Sequence, residues 1–135
     1  MSGVPDLDVV AWVHAAQGKM LAVRARGRDL LYLPGGKREP GEDDWTALSR
    51  EVREELSVTL VRPTFRELGV VYTTAHDQPA DTKVRMACFT AAYRGEITAT
   101  AEVDEYLYVS PSERDLLAPA AQAALDLAIE RGLLG

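Results

Sequence analysis

Apolar positions change their spacing several times along the chain, and each change marks an element. Leu7 to Ala16 and Lys19 to Ala25 are apolar, partly β-branched runs separated by Gln17-Gly18. That pattern predicts two strands joined by a tight hairpin, with the glycine supplying positive φ. Leu30 to Leu33 is a shorter run closed by Pro34-Gly35-Gly36. The proline and paired glycines predict an end to regular structure there and a loop through Pro40-Gly41. From Asp43 to Leu56 the period lengthens: Trp45, Leu48, Val52 and Leu56 recur at steps of three and four, one face of an α-helix. Glu42, Asp43 and Asp44 lie at its start, where the helix dipole favours negative charge.

Downstream, Val58 to Val61, Glu67 to Thr73, Lys83 to Tyr93 and Tyr106 to Val109 read as strands, with a polar stretch from Thr74 to Asp81. Ser110-Pro111-Ser112 predicts a helix-starting turn. Pro119 to Arg131 predicts a terminal helix stopped by Gly132, with Ala121, Leu125, Ala128 and Ile129 as its apolar face. Strands mixed with two helices predict an α+β or α/β sandwich in which helices cover a mixed sheet. No repeat or linker interrupts the pattern, so residues 1–135 are expected to fold as a single domain.

Composition narrows the classes of function. At 135 residues, 47% apolar and 27% charged, the chain can bury its own core. The lone Cys88, set in the alternation Val84-Arg85-Met86-Ala87-Cys88-Phe89, excludes a disulfide framework, reads as core, and favours a cytoplasmic location. No apolar run approaches the roughly 20 residues of a membrane span, and Met1 to Asp8 lacks the pattern of a signal peptide. A net charge of −6 argues against nucleic acid as a partner. It would equally repel a phosphorylated small molecule unless a cation stood between them.

The helix offers a place for that cation. At about 100° per residue, Glu51, Glu54 and Glu55 fall on one stripe beside the apolar face. Like charges at these spacings destabilise an isolated helix, and a divalent cation would offset the repulsion. Oxygen-only donors with no neighbouring histidine or cysteine suit Mg2+ or Mn2+ and disfavour zinc. The helix alone fits a solvated acidic surface better, with Arg50 and Glu54 as a weak ion pair.

The wider spacing decides between these readings. Gly36 is followed by five residues and Glu42, then by seven residues and Arg50-Glu51-Val52-Arg53-Glu54-Glu55-Leu56-Ser57-Val58. This resembles the Nudix signature G-x5-E-x7-R-E-U-x-E-E-x-G-U. Six of its fixed letters match, and valine fills both U positions. At typical residue frequencies, chance would produce those six letters on the order of once in ten million starting positions. Ser57 stands where the family has glycine, a departure that bears on how the chain leaves the helix.

The resemblance covers 23 residues closely and the rest loosely. It implies a Nudix-type α/β/α sandwich and hydrolysis of a pyrophosphate bond in a nucleoside diphosphate derivative or nucleoside triphosphate, with Mg2+ or Mn2+. By the same resemblance, Glu54 and Glu55 are the main metal ligands, Glu51 a ligand or base, and Gly36 a carbonyl donor. Arg50 orients the glutamates, and Glu42 has a supporting role. Arg24 resembles a family arginine that contacts substrate phosphates; Arg26 shares its side of the strand, and Lys37 follows Gly36. Glu102 and Glu105 precede the last strand, where relatives place a further carboxylate, and Glu102 is the choice.

Weaker candidates complete the picture. His76 is a lone loop histidine, His14 a strand residue expected to be satisfied by hydrogen bonds, Trp45 a core residue, and Tyr72 open to packing or base stacking. Many relatives dimerise, so the resemblance admits a homodimer. Two other readings stay open, a nucleotide-binding module without turnover and an allylic diphosphate isomerase. The intact acidic set counts against the first. The absence of a suitable cysteine pattern and the short chain count against the second.

Overall fold

The computed structural model describes residues 6–74 and 82–134. Among these, the order is β1 (Leu7–Trp12), β2 (Ala15–Ala16), β3 (Lys19–Ala25), β4 (Gly35–Lys37), α1 (Asp44–Leu56), β5 (Thr59–Leu60), β6 (Arg66–Thr74), β7 (Lys83–Thr90), β8 (Tyr93–Arg94), β9 (Val103–Val109) and α2 (Pro119–Glu130). Short 3-10 turns at Arg62–Thr64 and Pro111–Leu116 complete it. None of the helices is long and apolar enough to cross a membrane.

The main sheet has the order β4-β1-β7-β6. β1 and β7 run parallel and the other pairs antiparallel, so the sheet is mixed, as expected. Because β1 and β7 are central, both their faces are covered, and this is why they read as nearly unbroken apolar runs. Strand alternation then sorts the side chains into two cores. Ala11, Val13, Met86 and Cys88 enter one, which α2 closes with Ala121, Leu125 and Ala128. Val10, Trp12, Ala87 and Phe89 enter the other, which α1 closes with Leu48, Val52 and Leu56. Helix, sheet and helix therefore stack in three layers. Each fully buried Leu or Val contributes roughly 1.5–3 kcal/mol.

A second sheet, β2-β3-β9, joins both cores: Met20 and Ala22 point into the first, Leu21 and Val23 into the second. The Gln17-Gly18 hairpin is present, with both residues at positive φ, 53° and 77°.

Four expectations need correction. The run Leu7 to Ala16 is not one strand, because β1 belongs to the main sheet and only Ala15–Ala16 pairs with β3. Regular structure does not stop at Pro34-Gly35-Gly36. Leu31 and Tyr32 make isolated bridges only, while Gly35–Lys37 pairs with β1. Gly35 there has φ 146°, and a Cβ would strike the Val10 carbonyl, so glycine is what lets this strand form. Lys83 to Tyr93 divides into β7 and β8, the latter pairing with β5. Ile129, expected on the apolar face of α2, is 40% exposed, whereas Ala121, Leu125 and Ala128 are buried.

Candidate active site

Local chemistry first sets where α1 begins and ends. Asp43 caps the helix with extended backbone, and its carboxylate accepts the Thr46 amide at 2.8 Å. At the other end Ser57 takes the left-handed conformation, φ 64° and ψ 23°, and donates its amide to Arg53. Serine thus occupies a left-handed backbone state that glycine adopts more readily. Between the caps, Ala47, Leu48, Val52 and Leu56 are buried, which turns Glu51, Glu54 and Glu55 along the margin of the packed face.

β4 runs beneath that margin. The Gly35 amide donates to Glu55 Oε1 at 3.1 Å. A Cβ on Gly36 would overlap the Glu51 carboxylate, so the missing side chain is what brings Gly36 backbone and carboxylate together. Burial raises the Glu55 carboxyl to about 8; the Gly35 amide opposes this, and the charges of Glu51, Glu102 and Glu54 add to it. Burial likewise raises Glu51, with Arg50 opposing and Glu54 and Glu102 reinforcing. Glu54 and Glu102, the latter the exposed residue chosen over Glu105, therefore bear on both Glu51 and Glu55.

Arg50 organises one side of the cluster. It grips Glu42 with two bonds, Nε to Oε2 at 2.7 Å and Nη2 to Oε1 at 2.9 Å. The same guanidinium reaches the Lys37 carbonyl at 3.1 Å, Glu54 at 3.2 Å and Glu51 at 3.4 Å. The expected Arg50–Glu54 pair exists, but the tighter partner is Glu42, eight residues away and only 12% exposed. The Arg50 hydrogen bond, then the Glu39 amide, lowers the Glu42 carboxyl to about 2. Glu42 is thereby committed to Arg50.

The other candidates divide. Arg24 is held by Glu105 at 2.7 Å and the Asp29 carbonyl at 2.7 Å. Arg26 bonds the Ala101 carbonyl at 3.1 Å and stands 3.9 Å from Asp104. Lys37 is exposed and lends its carbonyl to Arg50. None of the three lines the cavity of about 330 Å³ that adjoins Glu55, Glu102, Gly35 and Gly36. The walls of that cavity are largely apolar, with Met86 and Val84 among them, and Arg28 and Tyr32 are polar members that sequence reasoning missed. Tyr32 carried no signal beyond being an aromatic residue before Pro34, and Arg28 was one more arginine in a basic stretch.

His14 is half-buried and stacks on Trp12 with centroids 4.9 Å apart, so ring packing rather than hydrogen bonding surrounds it; burial lowers its imidazole. Trp45 packs edge-on against Phe65 within the second core, Tyr72 is 71% exposed, and Cys88 is fully buried with its thiol raised to about 12. His76 lies outside the described residues.

Chemically, the cluster is an oxygen-only donor set. Glu51, Glu54, Glu55, Glu102 and the Gly36 carbonyl could serve a hard divalent cation. Among the described residues, no three His, Cys, Asp or Glu side chains are already drawn together tightly enough to enclose a metal. Mg2+ is compatible with that looseness because it retains several waters and takes few protein ligands.

Comparison with known proteins places this geometry. A family profile described as NUDIX domain matches residues 4–128. No curated protein sequence matches the chain significantly. Among solved structures, the ORF135 protein of E. coli is similar at 26% identity and TM-score 0.70, over 98% of this chain and 96% of that one. The MutT protein of Methanosarcina mazei Go1 is similar at 22% identity and TM-score 0.75, over 98% and 99%. The E. coli dihydroneopterin triphosphate pyrophosphohydrolase is similar at 23% identity and TM-score 0.65, over 82% and 85%.

Proposed function

The chain belongs to the Nudix family, and from that premise we propose that it hydrolyses the pyrophosphate bond of a nucleoside diphosphate derivative or nucleoside triphosphate with Mg2+ or Mn2+. The observation that carries the reading is the grouping of Glu51, Glu54 and Glu55 along one margin of α1, facing the Gly35-Gly36 backbone and Glu102. Burial and the charges of neighbouring carboxylates raise Glu51 and Glu55, so a cation among these oxygens would offset both causes.

Glu51, Glu54, Glu55, Glu102 and the Gly36 carbonyl are the residues that would hold the cation. When bound, it supplies charge neutralisation for the phosphates and a more acidic water. The rest is work for the chain. Arg50, anchored by Glu42, keeps Glu51 and Glu54 in place. Glu51 or Glu54 accepts the proton of the attacking water, which adds to one phosphorus as the bridging oxygen leaves with the other phosphate. The apolar cavity takes the group beyond the diphosphate, and Arg28 on its wall and exposed Lys37 meet its charged parts. Arg24 and Arg26, both engaged by carboxylates, would contact phosphate only after exchanging those partners. A single cysteine, held as a buried free thiol, supports work in a reducing compartment such as the cytoplasm.

The test is a phosphate-release screen of nucleoside triphosphates and diphosphate derivatives with Mg2+ and with Mn2+. Metal-dependent cleavage is expected, with Glu54→Gln lowering kcat by roughly a hundredfold or more. Absence of cleavage throughout, or full activity in Glu54→Gln, overturns the reading.

A further inference from the structure

The carboxylates of α1 and Glu102 come from segments nearly fifty residues apart, and something must hold the two in register. The segment 98–102 meets α1 at its last turn, where helix carbonyls have no partner within the helix. Three of them are taken by this segment. The Thr98 amide donates to Leu56 at 3.0 Å and the Thr100 amide to Glu55 at 3.1 Å. The Thr100 hydroxyl donates to the Glu54 carbonyl at 2.6 Å. That same hydroxyl oxygen accepts the amide of Glu102 at 3.3 Å, and the Thr100 carbonyl accepts the Val103 amide at 3.3 Å, closing the turn that carries Glu102. One oxygen atom thus touches the backbone of Glu54 and the backbone of Glu102 at once. Arg26 secures the outer side of the turn through the Ala101 carbonyl and Asp104.

We propose that Thr100 is a positioning residue which, through its hydroxyl, fixes Glu102 relative to the carboxylates of α1. This rests on the hydrolase reading for its consequence in activity, while the geometry itself can be read independently. Valine has nearly the same shape but neither donates to Glu54 nor accepts from Glu102, and it leaves the backbone bonds of residues 98 and 100 in place. Serine keeps the hydroxyl. A residue that acts only by capping the helix would affect the protein equally whether or not position 102 bears a carboxylate. A positioning residue acts through Glu102 and loses its effect when that carboxylate is removed.

The experiment is a double-mutant cycle of Thr100→Val with Glu102→Gln, with Thr100→Ser as rescue, read three ways on the full chain. In nitrogen–proton NMR spectra, Thr100→Val is expected to shift and deprotect the Glu102 amide and leave the interior of α1 unchanged, and Thr100→Ser to do neither. In Mn2+ titrations followed by electron paramagnetic resonance, Thr100→Val is expected to weaken binding roughly tenfold in the wild-type background and by less than about twofold in Glu102→Gln. In hydrolysis, kcat is expected to follow the same pattern with KM little changed. Equal losses in both backgrounds, failure of serine to rescue, or an undisturbed Glu102 amide in Thr100→Val would each overturn the proposal. If no diphosphate is cleaved, the hydrolase reading fails, and the spectra and Mn2+ titrations still decide the role of Thr100.

Discussion

The two helices cover opposite faces of the same sheet, yet they are built for different ends. α2 buries Ala121, Ala124, Leu125, Leu127 and Ala128, all of them apolar, in the core that it closes. α1 buries a stripe of four, Ala47, Leu48, Val52 and Leu56, and places Glu51, Glu54 and Glu55 directly beside it. Two of those carboxyls, Glu51 and Glu55, are raised by burial and by neighbouring carboxylates, with Arg50 opposing at Glu51 and the Gly35 amide at Glu55. α1 is also finished with care, capped by Asp43 and ended at Ser57, whereas no side chain caps the start of α2. The difference is one of local support: the carboxylates sit on a helix capped at its start and anchored by a buried stripe, while the helix on the far face contributes apolar packing.

Substitutions can break this division in order of size. The largest expected effect is on α1, where Glu54→Gln should lower kcat by roughly a hundredfold or more while a thermal melt shows the metal-free protein little changed, since a like-charge contact and the exposed ion pair to Arg50 are lost together. On α2, Leu125→Ala should do the reverse, costing about 2–5 kcal/mol in urea unfolding. Its kcat should stay close to wild type at temperatures where it is folded. If Leu125→Ala abolished turnover in the folded protein, the helices would not be separable in this way.

A smaller effect concerns pH. The folded Glu55 carboxyl lies at about 8 against an ordinary 4.5, so the folded state holds a proton that the unfolded state releases between those values. Its contribution is fully present below 4.5 and is lost as pH rises towards 8. Metal-free protein should therefore unfold more easily as pH climbs through that range, and Glu55→Gln should flatten the dependence in melts at several pH values. The smallest effect is at Ser57, whose left-handed backbone suits glycine better. Ser57→Gly should stabilise by about 0.5–1 kcal/mol with kcat unchanged.

Legibility in the sequence followed the range of the interactions. The stripe of α1, its acidic start and the Gln17-Gly18 hairpin are all set by neighbours within a few residues, and all were readable. The division of Lys83 to Tyr93 into β7 and β8 was not, because it depends on a change of partner strand. Nor was β4, since two glycines look like a break until a strand is found close enough to exclude side chains. The choice between Glu102 and Glu105 had little local basis. Pairing of β3 with β9 turns Glu105 onto Arg24, while the turn before β9 leaves Glu102 beside Glu51 and Glu55.

Local sequence thus specified the helix that carries the glutamates, the spacing by which the family can be recognised, and the grouping of three carboxylates on one stripe. These depend on residue type and on separations along one element. Folding in three dimensions settled the rest: Glu42 binds Arg50, the Gly35 amide meets Glu55, Arg24 pairs with Glu105, and a cavity opens beside the carboxylates. The physical reason is that short-range hydrogen bonds and burial depend on which backbones lie against each other, as Arg24 and Glu105 do across 81 positions of sequence.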